Sequence, residues 1–122
     1  MPDTRRTFGN RGEELASRKL QSLGYTVRER NWRCAAGELD IVAEKDGALV
    51  FVEVRTRRGD RFGTPEESIT PAKRAKLIEV AQTYLDEHGE NDRNWRINVV
   101  AIDIGPRGEV SRMDIIENAI EE

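Results

Sequence analysis

Between Glu38 and Lys45 the chain alternates, with Leu39, Ile41 and Ala43 on one side and Glu38, Asp40, Val42 and Glu44 on the other. A two-residue period is that of a strand with one buried face. Asp46-Gly47 follows, and Ala48 to Arg55 alternates back. An Asp-Gly pair between two such runs predicts a hairpin with a two-residue loop. Lys45 then lies opposite Ala48, Asp40 opposite Glu53, and Glu38 opposite Arg55. One face carries Leu39, Ile41, Ala43, Val50, Val52 and Val54 as core. The other gathers Glu38, Asp40, Glu53 and Arg55 at one end.

The same patterning predicts the remaining elements. A helix from about Asn10 to Leu23 carries an apolar stripe of Leu15, Ala16, Leu20 and Leu23, with Gly24 to stop it. Glu13 lies at the edge of that stripe and not on the outer face. Tyr25 to Arg33 reads as a strand before the hairpin, and Thr56 to Ile69 as a polar loop. Thr70-Pro71 suits a helix start, Thr as N-cap and Pro at the first helical position. Leu77, Ile78, Ala81, Tyr84 and Leu85 form its stripe, and Gly89 ends it. Arg96 to Ile104 is a strand. After a turn at Pro106-Arg107-Gly108, Glu109 to Asp114 reads as a short strand and Ile115 to Ile120 as a short helical tail. This order predicts an α/β fold, a mixed central sheet flanked by helices. A chain of 122 residues fits a single domain spanning 1–122.

Composition narrows the function classes. Net charge is −3, so bulk positive charge does not coat nucleic acid. The charge is uneven, however: Arg55, Arg57, Arg58 and Arg61 cluster, and Lys73, Arg74 and Lys76 follow. The single cysteine, Cys34, allows no intrachain disulfide and suits a reducing, cytoplasmic setting. No apolar run approaches the roughly 18 residues of a membrane span, and the start lacks an apolar signal region.

The opposed acids carry the chemistry. Like charges directly opposite on paired strands, with Cβ atoms about 4.5–5.5 Å apart, are destabilising unless compensated. A divalent cation compensates them: Mg²⁺ needs only one or two carboxylates besides water and phosphate oxygens. The Val54 carbonyl could add a ligand, and so could Glu13 from the first helix. A cation at position 55 shares the face of Glu53 and could stabilise phosphoryl charge. The alternative reading is an exposed sheet face with an ordinary Glu38–Arg55 ion pair. Val42 and Phe51 share that face and are apolar, so it is partly covered, and covered acids without a cation are costly.

Gly9-x-x-Gly12-Glu13-x-x-Ala16, Gly37-Glu38-Leu39-Asp40-Ile41-Val42-Ala43, Phe51-Val52-Glu53-Val54-Arg55-Thr56-Arg57, Phe62-Gly63 and Ala81-x-x-Tyr84-Leu85 together resemble the YraN-like family of small bacterial proteins. That family looks like the restriction-endonuclease-like superfamily, with the archaeal Holliday-junction resolvases as its nearest relatives by pattern. The resemblance implies a restriction-endonuclease-like fold and a Mg²⁺- or Mn²⁺-dependent endonuclease, acting on branched or structured DNA. Glu13 matches the helix acid, Asp40 the first strand acid and Glu53 the acid of Glu-x-Lys. Position 55 departs from the pattern, being Arg where the superfamily has Lys. Arg stays charged but cannot take up or release a proton at ordinary pH. Lys73 is a surrogate cation on this view, or else a first-turn lysine in solvent. By analogy with resolvases, a homodimer is expected.

The expected site is therefore Asp40, Glu53, Glu13 and the Val54 carbonyl around the metal, Arg55 at the phosphoryl group, and Glu38 setting Arg55. Arg57, Arg58, Arg61 and Lys73 would contact phosphates. Trp32 and Trp95 read as packing residues, and His88 as a surface residue at a helix C-terminus. Cys34 has no partner at zinc spacing. A nuclease-fold module that binds nucleic acid without turnover is the alternative, and a protein-binding scaffold is a third.

Overall fold

The computed structural model describes residues 4–58, 67 and 69–120, with side chains from Arg11 onward. Its elements are α1 (Thr4–Ser22), β1 (Thr26–Cys34), β2 (Gly37–Lys45), β3 (Ala48–Arg58), α2 (Pro71–Glu87), β4 (Trp95–Ile104) and β5 (Val110–Ile120). The strands form one sheet in the order β1-β2-β3-β4-β5. All neighbours are antiparallel except β3 and β4, which run parallel. A parallel pair needs a crossover, and the segment carrying α2 supplies it.

Each helix covers one face. α1 buries Ala16 and Leu20 against Ile41, Ala43, Val50, Val52, Val100 and Ile102. α2 buries Leu77, Val80, Ala81, Tyr84 and Leu85 against Val42, Leu49, Phe51, Ile97 and Val99. The central strands β3 and β4 are thus apolar on both faces, as parallel pairs are. Phe51 meets Tyr84 edge-on, with ring centroids 5.5 Å apart, under the last turn of α2.

The hairpin has the expected register from Lys45–Ala48 to Ile41–Val52. Asp46 (φ 51°) and Gly47 (φ 82°) both take left-handed conformations, as a type I′ turn demands. The N-cap of α2 is also as expected: the Thr70 hydroxyl accepts from the Lys73 peptide N–H at 3.1 Å.

Four expectations need correction. The ladder between β2 and β3 stops at Ile41–Val52, so Asp40–Glu53 and Glu38–Arg55 are not ladder pairs. Leu39 packs on the α2 face with Val42 and Phe51, and not beside Ile41. Its partner in β1 is Trp32, next to Asn31, whose left-handed φ of 55° breaks the alternation of that strand. β3 continues through Arg58, so Thr56 to Arg58 are strand and not loop. The tail Ile115 to Ile120 is strand too, pairing Ile115 with Val100 and Ile116 with Val99.

Candidate metal and phosphate site

The site lies where β2 and β3 part. By the hairpin register, the Val54 N–H points towards β2 and would donate to the Leu39 carbonyl. It donates instead to Asp40 Oδ2, at 2.8 Å. The carboxylate of Asp40 thus replaces a rung of the ladder. N–H and C=O of one strand residue leave by the same edge, so the Val54 carbonyl faces the same gap.

Asp40 joins two groups of acids. The charge of Glu53 acts on its carboxyl, second only to burial. It also stands with Glu13 and Glu38, each offering an oxygen within 4.8 Å of the others. Glu53 therefore enters the cluster through Asp40 and not through the trio. Three elements supply these acids: α1 brings Glu13, β2 brings Glu38 and Asp40, and β3 brings Glu53. Gly12 makes the approach of α1 possible, since a Cβ there would lie 2.7 Å from Thr56 Oγ1 on β3.

Burial and crowding show in the protonation of the pair. Glu53 is only 6% exposed. The Asp40 carboxyl is pushed up to about 7, first by burial and then by the charges of Glu53, Glu13 and Glu38, against the pull of the Val54 N–H. Burial also raises Glu53, while Lys73 and Arg55 oppose the rise. Both cations address one atom: Arg55 Nη1 is 3.8 Å and Lys73 Nζ 3.9 Å from Glu53 Oε1. Glu13 Oε2 is buried and accepts no hydrogen bond, with Arg30 Nη2 3.8 Å away. An all-oxygen cluster with a buried, unserved acceptor matches what a hard divalent cation binds, so these residues can hold a metal ion.

Glu38 and Arg57 meet partners not expected from the sequence. Glu38 pairs with Arg33 across β1 and β2 at 2.9 Å, and its carboxylate stands among the acids. Lys73 reaches the acids from the first turn of α2. Arg57 lies opposite Asp103 in the β3–β4 ladder and pairs with it at 3.3 Å. Arg112 on β5 meets the other oxygen of Asp103 at 3.8 Å. Arg58 is exposed at the end of β3. Arg61 and Phe62-Gly63 lie outside the described residues. The neighbourhoods of Glu38, Arg33 and Arg112 were not foreseen. For Glu38 a signal existed, since Cys34 to Gly37 leaves room for a tight turn that brings Arg33 opposite it.

Residues 12–104 match the family described as Uncharacterised protein family UPF0102. A UPF0102 protein of Roseiflexus castenholzii is 50% identical over 123 residues, covering 100% of this chain and 99% of its own length. One from Myxococcus xanthus is 42% identical over 120 residues, covering 98% of this chain and 94% of its own. Among solved structures, Pyrococcus furiosus SfsA in complex with Ca²⁺ aligns with 98% of this chain at a TM-score of 0.41 and 15% identity. This chain spans 66% of the SfsA chain.

Proposed function

The chain belongs to Uncharacterised protein family UPF0102, and we propose that it is a divalent-metal-dependent endonuclease of restriction-endonuclease-like fold, hydrolysing phosphodiesters in branched or structured DNA. One observation carries the reading: Asp40 stands with Glu13 and Glu38, under the charge of the buried Glu53, at the point where the hairpin opens. Acids this close repel one another, and a divalent cation among them would offset that repulsion.

Asp40, Glu53, Glu13 and the Val54 carbonyl would hold Mg²⁺ or Mn²⁺, with Glu38 close enough to join them. Such an ion polarises a phosphoryl oxygen and makes a bound water more acidic. The protein's own residues do the rest. Arg55 sets a fixed positive fork beside Glu53, where charge on the phosphoryl oxygens would develop. The Val54 N–H fixes the Asp40 carboxylate, so its free oxygen is aimed before substrate arrives. Arg57, Arg58, Arg61 and Lys73 would position the backbone of the DNA. A second copy of the chain would let the site act symmetrically on a branched substrate.

A second reading is favoured by Arg55 itself. Its guanidinium cannot exchange a proton near neutral pH, which suits a module that binds nucleic acid without turnover.

The test is a cleavage assay on linear, flapped and four-way-junction DNA with Mg²⁺ or Mn²⁺, using wild type, Glu53→Ala and Arg55→Lys. Metal-dependent product that disappears in Glu53→Ala supports hydrolysis at this site. Binding without cleavage by wild type supports the second reading. Cleavage that survives Glu53→Ala unchanged removes the site assignment.

A further inference from the structure

Lys73 reaches Glu53 from the first turn of α2. Its backbone is fixed by the Thr70 cap, but its ammonium ends a flexible four-carbon stem whose side chain is 40% exposed. That ammonium sits 3.9 Å from Glu53 Oε1, an ion pair too long for a firm hydrogen bond. Arg55 addresses the same oxygen from the adjoining strand position, where the rigid sheet holds its base opposite Ala101. The two cations together offset the negative charge that Asp40 and Glu53 share.

A divalent cation among these acids would bring two positive charges close to the ammonium that pairs with Glu53. Like charges at this range repel, which weakens the hold of Glu53 on the more mobile of the two side chains. The departing ammonium starts from the first turn of α2, beside the gap between β2 and β3, and has solvent on its open side. A phosphate bound at the metal is the nearest anion that can take it.

We propose that Lys73 is a phosphate-binding residue whose availability is coupled to the metal: it neutralises Glu53 in the metal-free protein and passes to the substrate phosphate when a divalent cation takes its place. This rests on the reading that the acids hold such a cation. It gives the site an order of events, metal first and DNA second. It also separates Lys73 from Arg57, whose pair with Asp103 lies within the sheet and does not depend on the metal.

The experiment compares wild type, Lys73→Met, Lys73→Arg and Glu53→Gln by two binding measurements. Mn²⁺ titration calorimetry should show Lys73→Met binding about 3- to 10-fold tighter than wild type, because a competing charge is gone. Lys73→Arg should remain within about 2-fold of wild type, since the charge stays. Fluorescence anisotropy with a labelled four-way junction is then run with and without Ca²⁺, which oxygen ligands also hold. Lys73→Met should lose about 3- to 10-fold in DNA affinity with Ca²⁺, and its salt slope should fall by about 1. Without Ca²⁺ its affinity should match wild type within about 2-fold, because the lysine is then engaged with Glu53. Equal losses with and without Ca²⁺ would make Lys73 a static phosphate contact and overturn the coupling. So would Mn²⁺ binding that Glu53→Gln abolishes but Lys73→Met leaves unchanged, although the metal site itself would stand. Absence of Mn²⁺ binding by wild type would overturn the metal site and the coupling together.

Discussion

The carboxylate of Asp40 accepts the peptide N–H of Val54 at 2.8 Å, in the place where the hairpin would form its next backbone rung. This single contact holds the acid at the mouth of the gap. Asp40→Asn keeps an acceptor for the Val54 N–H but removes a charge from a crowded, buried cluster. At pH 8 the metal-free variant should be more stable than wild type by about 1–3 kcal/mol, read by urea unfolding. Asp40→Ala also strips the N–H of its acceptor, so it should fall below Asp40→Asn by about 1–3 kcal/mol. Equal stabilities for the two variants would show that the contact contributes nothing.

The pH dependence follows from the same crowding. A carboxyl that holds its proton more tightly when folded than when unfolded favours the folded state at low pH. Asp40 ionises at about 7 in the folded chain against 3.8 for an ordinary aspartate. Between pH about 4 and about 7 the unfolded chain has lost this proton and the folded one has not. Metal-free stability should therefore fall across that window, on the order of a few kcal/mol. Glu90 acts in the opposite sense: its ion pairs with Arg28 and Arg93 lower it to about 2, so its contribution fades only as pH drops below about 4.5. Urea unfolding at pH 4.5, 6.0 and 7.5 checks this. Saturating Mn²⁺ should abolish the decline, and Asp40→Asn should flatten it. A metal-free stability that rises from pH 4.5 to 7.5 contradicts the assignment.

Gly12 offers a test of how α1 delivers Glu13. Gly→Ala within a helix ordinarily stabilises by up to about 1 kcal/mol. Here the new Cβ would lie 2.7 Å from Thr56 Oγ1 and 3.7 Å from Val54 Cγ1. Gly12→Ala should thus destabilise by about 1–3 kcal/mol and push Glu13 away from Asp40, weakening Mn²⁺ binding. Adding Thr56→Ala removes the obstructing hydroxyl and should restore both. Thermal melts and calorimetry on the single and double variants read the outcome, and failure of the double variant to recover would count against the packing argument.

Tyr84 provides a control at the other pole of the sheet. Its hydroxyl donates to Glu29 at 2.7 Å, and its ring stacks on His88 with centroids 3.8 Å apart. Tyr84→Phe should cost about 1.5–3 kcal/mol of stability through the loss of a charge-assisted hydrogen bond. Mn²⁺ affinity should not change. A parallel loss of metal binding would mean that the site is not energetically separate from this network.

Where local chemistry dictates the backbone, the sequence was legible. Asp46-Gly47 fixed the hairpin turn, and Thr70-Pro71 fixed the start of α2. Legibility failed where strands depart from strict alternation. Ile115, Ile116, Ala119 and Ile120 imitate a helical stripe, yet they belong to an edge strand with a register shift between Ile97 and Val99 of its partner. Asn118, at φ 48°, makes that shift, and its N–H is taken by the side chain of the buried Asn98. Leu39 was assigned to the wrong face because alternation cannot foresee that Asn31 turns left-handed in the neighbouring strand. The candidate site suffered likewise. Strict register places Glu38 against Arg55, whereas the ladder ends one pair before Asp40 and Glu38 pairs with Arg33. Arg57 looked like a loop residue because nothing local shows that β3 continues past Thr56 to pair with β4.

Acids from α1, β2 and β3 that together grip a divalent cation are the central claim. Mn²⁺ titration calorimetry at pH 7.5 on wild type, Asp40→Asn and Glu53→Gln tests this most directly. Wild type should show saturable binding, and both variants should weaken it at least about tenfold, the loss of a carboxylate ligand being worth more than about 1.4 kcal/mol. Wild type without saturable binding, or variants that bind Mn²⁺ as wild type does, would contradict it.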